Sequence, residues 1–165
     1  MAVSIRTYGD RTLRREASSV DVIDGETKRI CERMVEAMIR ANGLAIAAPQ
    51  LGVSQRIIIL DLDGAFHVLI NPEIIEHSDE CEERDEGCLS VPGAYGPVSR
   101  ASRVRVRGTG LDGKTVEIEG EGLLARAIQH EIDHLDGVLF VDHLSPARRE
   151  SLLREYARKR KEAAR

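Results

Sequence analysis

Gln129-His130-Glu131-Ile132-Asp133-His134-Leu135-Asp136-Gly137 is the stretch from which this chain can be read outward. On a helix, positions i and i+4 fall on one face, so the imidazoles of His130 and His134 can reach a common point. Two imidazoles at that spacing suit a divalent metal, and Glu131 stands where HExxH hydrolases carry their general base. The pattern also arises by chance, on helices whose histidines are merely half-buried or solvated. A catalytic metal asks for about three protein ligands and one open position. Downstream, His143, Asp136 and Asp142 could serve as the third ligand. The better candidate stands upstream: Cys88, in Glu86-Gly87-Cys88-Leu89-Ser90, in a structured bend between an acidic run (residues 79–87) and Val91-Pro92-Gly93. A lone cysteine is ordinarily a small buried hydrophobe, and Cys31 and Cys81 fit that description better than Cys88 does.

Around this motif the periodicities predict a helix from Glu121 to Leu135, closed by Gly137. A last helix starts at Ser145-Pro146, with Ser145 as cap and Pro146 in the first turn. Before the motif, Val104–Arg107 and Thr115–Ile118 read as a hairpin around Asp112-Gly113. Gln55–Leu62, Phe66–Ile70 and Pro72–His77 read as three strands, the first two joined through Asp63-Gly64. Residues 25–41 form a helix capped by Asp24, with Ile30, Met34, Ala37, Met38 and Ala41 at helical spacing and Asn42-Gly43 ending it. Strands in runs, with helices before, between and after, predict an α+β fold. The expected architecture is mostly antiparallel sheet around a central HExxH helix, with a C-terminal helix, all in one domain over 1–165.

Composition narrows the function classes. The chain has 165 residues, 42% hydrophobic and 32% charged, which is ordinary for a globular protein. No run approaches the length of a membrane span, and the first residues lack an apolar signal core, so a cytoplasmic location without membrane insertion is expected. Three cysteines make a disulfide framework improbable. A net charge of −4 argues against a general DNA or RNA binder. The charge is uneven: residues 147–165 hold eight Arg or Lys against three Glu, a local balance of +5 that leaves −9 elsewhere. A basic tail on an acidic body suggests a docking element.

Three segments, in this order, resemble the peptide deformylase family. Gly43-Leu44-Ala45-Ile46-Ala47-Ala48-Pro49-Gln50 is similar to its GxGLAAPQ-type loop, Glu86-Gly87-Cys88-Leu89-Ser90 to its second segment, and Gln129–Gly137 to its QHExDHLxG helix. The resemblance runs over nearly the whole chain, including the early helix, the strand after the first loop and residues 139–145. It implies that Cys88, His130 and His134 bind a metal, Fe²⁺ physiologically, with Zn²⁺, Ni²⁺ or Co²⁺ able to substitute. It also implies that Glu131 is the general base and acid, and that Gln50 and the backbone N–H of Leu89 stabilise the oxyanion. The activity implied is removal of the formyl group from the N-terminal methionine of new polypeptides. Extended substrate would lie against Gly43, Leu44, Ala45 and Ile46 and the segment after Cys88, with Ile46, Leu123 and Ala127 as walls of the methionine pocket. Glu86 is expected to pair with Arg100 and brace the Cys88 loop, and the basic helix of 146–165 to dock on the ribosome.

The first loop departs from the family pattern. Ala45 stands where a second glycine is usual, and Ile46 where leucine is usual. A Cβ at Ala45 narrows the site or shifts the substrate strand, while the metal residues, Glu131 and Gln50 are untouched. Two other functions compete with deformylation: an HExxH peptidase cutting internal amides, against which the upstream cysteine argues, and a silent paralogue that only binds nascent chains, against which the intact Glu131 and Gln50 argue.

Overall fold

The computed structural model describes residues 3–62 and 64–165; Asp63, expected in a turn with Gly64, lies outside the described residues. In chain order the elements are α1 (Gly25–Arg40), β1 (Ala45–Ala47), β2 (Ile57–Leu62), β3 (Ala65–His77), β4 (Cys81–Cys88), β5 (Val91–Ala101), β6 (Arg103–Thr109), β7 (Thr115–Glu121), α2 (Gly122–Leu135) and α3 (Pro146–Ala163). Short 3-10 turns occupy Arg11–Arg14, Ala48–Leu51 and Phe140–His143. Five strands form one sheet in the order β1-β2-β3-β6-β7, and β4 and β5 form a separate two-stranded sheet. Each pairing of these strands is antiparallel. The architecture is the expected α+β arrangement.

Strand alternation divides the core. Ile57, Ile59 and Ile70 turn to one face of the large sheet, where α1 covers them with Ile30, Met34, Ala37 and Met38. Ile58, Leu60, Leu62 and Leu69 turn to the other face, against Leu124, Ala125, Ile128, Ile132 and Leu135 of α2. Each such side chain, fully buried, contributes about 1.5–3 kcal/mol of transfer free energy. A third cluster joins Val91 and Val98 of the hairpin to Leu13, Leu139, Phe140, Leu144 and Tyr156. Helix α2 therefore lies between the large sheet and the β4–β5 hairpin.

The helix ends follow local chemistry. Asp24 caps α1 by accepting from the N–H groups of Glu26 and Thr27, and Asn42 leaves it at φ 54°. Ser145 accepts from the Arg148 N–H at the start of α3, with Pro146 in the first turn. Gly137 turns the chain out of α2 at φ 74°, and a Cβ there would stand 2.7 Å from the Arg14 carbonyl oxygen. Only glycine satisfies both conditions.

One expectation about strands is corrected, and one strand was not foreseen. Residues 66–70 and 72–77 belong to one long strand, β3, whose register shifts between Ile70 and Glu73. Asn71, at φ 52°, absorbs the irregularity around Pro72 and exchanges two hydrogen bonds with the Val20 backbone. The acidic run before Cys88, to which the sequence assigned no element, is strand β4. Exposed Glu83, Arg84 and Asp85 hide it from any apolar alternation, because its side chains meet water on both faces over most of its length.

Candidate active site

Cys88 closes β4, and His130 and His134 stand one turn apart on α2. The hairpin lays Cys88 beside the helix, so that Sγ lies 3.3 Å from His134 Nε2. One donor atom from each of the three residues falls within 4.8 Å of the others. Ligands held tetrahedrally at about 2.0–2.3 Å from an ion lie roughly 3.5 Å apart, close to the 3.3 Å between Cys88 Sγ and His134 Nε2. The competing third ligands are engaged elsewhere. His143 Nε2 pairs with Asp133, Asp136 with Arg56, and Asp142 with Arg14.

Glu131 is buried beside the triad, and its Oε2 has no hydrogen-bond partner among the described residues. Such an orphaned carboxylate oxygen is costly unless a water or substrate group meets it. Gln50 reaches the same place from the Ala48–Leu51 turn. Its Oε1 accepts from the Ala47 N–H at 2.9 Å, and its Nε2 donates to Ser90 Oγ at 3.1 Å and faces Cys88 Sγ at 3.8 Å. The amide is thereby fixed with its donor toward the cysteine. A cavity of about 580 Å³ opens over these groups, lined by Gly43, Leu44, Ala45, Gln50, Glu86, Cys88, Leu89, Leu123, Ala127, His130 and Glu131 among others.

Known proteins carry the same framework. The profile described as "Polypeptide deformylase" matches residues 2–150. This chain belongs to the polypeptide deformylase family. A peptide deformylase of Thermodesulfovibrio yellowstonii is 42% identical over 163 residues, covering 96% of this chain and 98% of that one. One from Halothermothrix orenii is 51% identical over 142 residues, covering 85% and 92%. The crystal structure of a Legionella pneumophila peptide deformylase superposes with a TM-score of 0.95 at 42% identity, over 100% of this chain and 99% of that one. A Synechococcus elongatus peptide deformylase in complex with actinonin superposes at 0.90, with 39% identity and coverage of 94% and 86%.

The electrostatics of the deformylase site favour the charged forms of Cys88 and Glu86. Burial alone would raise the Cys88 thiol, but the facing imidazoles of His134 and His130 reverse this and hold it well below its ordinary value. A thiolate is the form that ligates metals. Burial also opposes ionisation of Glu86, yet His130 and Arg100 hold its carboxyl far below the carboxylate range. Glu86 accepts from Arg100 through both oxygens, at 2.7 and 3.1 Å, and meets His130 Nδ1. The expected Glu86–Arg100 pair therefore exists and also orients a candidate ligand. Burial pushes Glu131 above the usual carboxylate range, against the pull of His130 and His134. Cys31, by contrast, sits in the core under α1, where burial pushes its thiol up to about 11.

One expected pocket residue is corrected. Ile46 is 0% exposed and packs into the α1 core, because alternation along β1 turns it to the face opposite Ala45. Its side chain does not line the cavity, whereas Leu44, Ala45, Leu123 and Ala127 do. Leu89 also crosses close to the first loop: a Cβ at Gly43 would stand 2.7 Å from its Cδ1. Three features went unread in the sequence. Ser90 fixes Gln50; Gln129 exchanges two hydrogen bonds with the Ala101 backbone, tying α2 to the end of β5; and Arg126 is buried against the hairpin. A charged residue four positions before His130, in the otherwise apolar run Gly122–Ile128, was the signal available for the last of these.

Proposed function

We propose that this chain is a metal-dependent amide hydrolase that removes the N-formyl group from the initiator methionine of newly made polypeptides and releases formate. The observation that carries the reading is the Cys88, His130 and His134 cluster, set at a cavity that Cys88 and His130 line together with Glu131 and Gln50. Cys88, His130 and His134 hold the ion; Fe²⁺ is the physiological choice, and Zn²⁺, Ni²⁺ or Co²⁺ can replace it, since thiolate and imidazole accept several divalent metals. When bound, the ion supplies Lewis acidity toward the formyl oxygen and lowers the pKa of water.

The chain's own residues do the rest. Glu131, buried with one oxygen free, takes a proton from the attacking water and returns it to the departing amine. As charge grows on the formyl oxygen, the Gln50 amide and the Leu89 N–H donate to it. One preoriented donor of this kind is worth about 3 kcal/mol of barrier. The peptide extends along Gly43–Ala45 and the residues after Cys88, held by backbone hydrogen bonds that read no sequence. Leu44, Leu123 and Ala127 give the methionine side chain apolar surface. Residues 1–165 act as one catalytic unit in the cytoplasm, where nascent chains emerge.

Formate release from formyl-Met-Ala-Ser by anaerobically purified protein, with Glu131→Ala as control, tests this reading. Activity in the wild type that is lost in the variant is expected. Cleavage of internal amides without formate, or no hydrolysis at all, overturns it.

The basic helix α3 docks on the ribosome in the same proposal. Tyr156 is buried in the third core, so deleting the helix would uncover that core. Charge reversal at the exposed Arg154, Arg158 and Lys161 is the cleaner test. Loss of low-salt co-sedimentation with ribosomes is expected, with formate release unchanged; unaltered co-sedimentation contradicts docking.

A further inference from the structure

The Cys88 hairpin shares no strand ladder with the large sheet. Two of the three residues that would hold the ion therefore sit on α2, and the third sits on a sheet joined to α2 only through side chains. Besides His130 and His134 themselves, which meet Glu86 and Cys88, three side chains make that junction among the described residues. Gln129 reaches the end of β5 at Ala101, and Arg100 reaches from β5 to Asp133 at 2.6 Å. Arg126 spans both strands. Its Nη1 donates to Glu86 Oε2 at 2.9 Å and to the Val98 carbonyl at 2.8 Å, and its Nη2 donates to the Glu82 carbonyl at 2.7 Å. Only 7% of the residue is exposed.

We propose that Arg126 is a positioning residue of the metal centre, clamping the Cys88 hairpin to the histidine helix and fixing the carboxylate that orients His130. Arg126 stands four residues before His130, on the same face of α2. The acceptor it shares with His130 is Glu86, two residues before Cys88. One guanidinium thus touches the strand that ends in the cysteine, the neighbouring strand, and the group bonded to the first histidine.

The chemistry requires arginine. The three acceptors lie in different directions, and a planar fork with five donors can serve them together, whereas a lysine ammonium is a single point of charge. Removing the guanidinium strands one buried and one half-buried carbonyl and takes one of two arginines from a buried carboxylate. Both effects loosen the spacing between Cys88 and the imidazoles. Outer partners of this kind typically set metal affinity by roughly 10–100-fold. Arg126 also borders the cavity, so a direct contact with the methionine side chain is the rival role. The two roles separate experimentally, because a wall residue acts on KM and a clamp acts on metal retention.

The inference rests on the ligand reading given above, so the test first establishes that reading on its own. In full-length protein loaded with Co²⁺, the thiolate-to-cobalt absorption band is recorded for wild type and Cys88→Ala. A band lost in Cys88→Ala upholds the ligand assignment independently of Arg126. Transfer of Co²⁺ to excess chelator is then timed for Arg126→Met and Arg126→Lys, at a temperature where each stays folded. Expected are a release roughly 10–100-fold faster in Arg126→Met, a shifted cobalt spectrum, partial recovery in Arg126→Lys, and an unchanged KM for formyl-Met-Ala-Ser. If Arg126→Met does not fold, Arg126→Lys carries the measurement against wild type. Wild-type release rates and spectra in every folded variant overturn the clamp, even if melting temperatures fall. A change confined to KM overturns it in favour of the pocket-wall role.

Discussion

Gln50 is held at both ends of its amide, by the Ala47 N–H and by Ser90 Oγ, before any substrate arrives. A donor fixed in advance needs no reorganisation when charge develops. Gln50→Ala should therefore lower kcat by roughly 10²–10³-fold, with metal content unchanged, in anaerobic formate assays. An effect on metal content alone would place the residue with the ligands instead. Ala45 is a different case. The non-glycine residues at positive φ are Asn42 and Asn71, and Ala45 lies in extended strand β1, where alanine fits without strain. Its methyl group lines the cavity and leans on the α2 core. Ala45→Gly is expected to keep hydrolysis and to change the preference between formyl-Met-Ala-Ser and shorter formyl peptides by less than about tenfold, since about one methyl group of contact is at stake. Identical preferences in the two proteins would remove Ala45 from the list of specificity residues.

At the scale of elements, the segment after α2 is anchored to the first turn of the chain by Asp142. Its carboxylate accepts from Arg14 at 2.6 and 3.1 Å and from the Leu139 N–H at 3.0 Å, and pairs with Arg149 at 3.3 Å. Burial opposes the charge, but the Arg14 hydrogen bonds prevail and the carboxyl lies below its ordinary value. A carboxyl depressed in the folded state adds stability that is present above its unfolded pKa, about 3.9, and is lost as pH falls through the folded value. The groups are partly exposed, so the contribution at neutral pH is about 0.5–1 kcal/mol. Asp142→Asn should lower Tm by about 2–4 °C at pH 7, and the difference from wild type should shrink below about pH 4. A difference that persists unchanged into acid would mean that geometry rather than charge holds this junction.

Across the whole molecule, the parts legible in the sequence were those whose burial is one-sided. Helices α1 and α2 and the β6–β7 hairpin repeat apolar residues at the period of their element, because one face meets a core. Strand β4 was not legible, because its charged side chains face water while its order comes from β5. The break at Asn71 and Pro72 concealed the unity of β3, since an irregularity inside a strand looks like a boundary. Within the site, the two histidines were legible because a single helix carries both. Cys88 lies forty-two positions before His130, and the residues alone made it only the better of several possible third ligands; the family resemblance implies the same choice, and the fold places its sulfur 3.3 Å from His134. Arg126 went unread because two of its three partners are backbone carbonyls, which no sequence pattern names. Anaerobic metal analysis decides whether these three side chains hold one metal ion. One ion, iron, is expected per wild-type chain, and none retained in folded Cys88→Ala, His130→Ala or His134→Ala. A folded Cys88→Ala protein that keeps its full complement of metal would contradict that assignment.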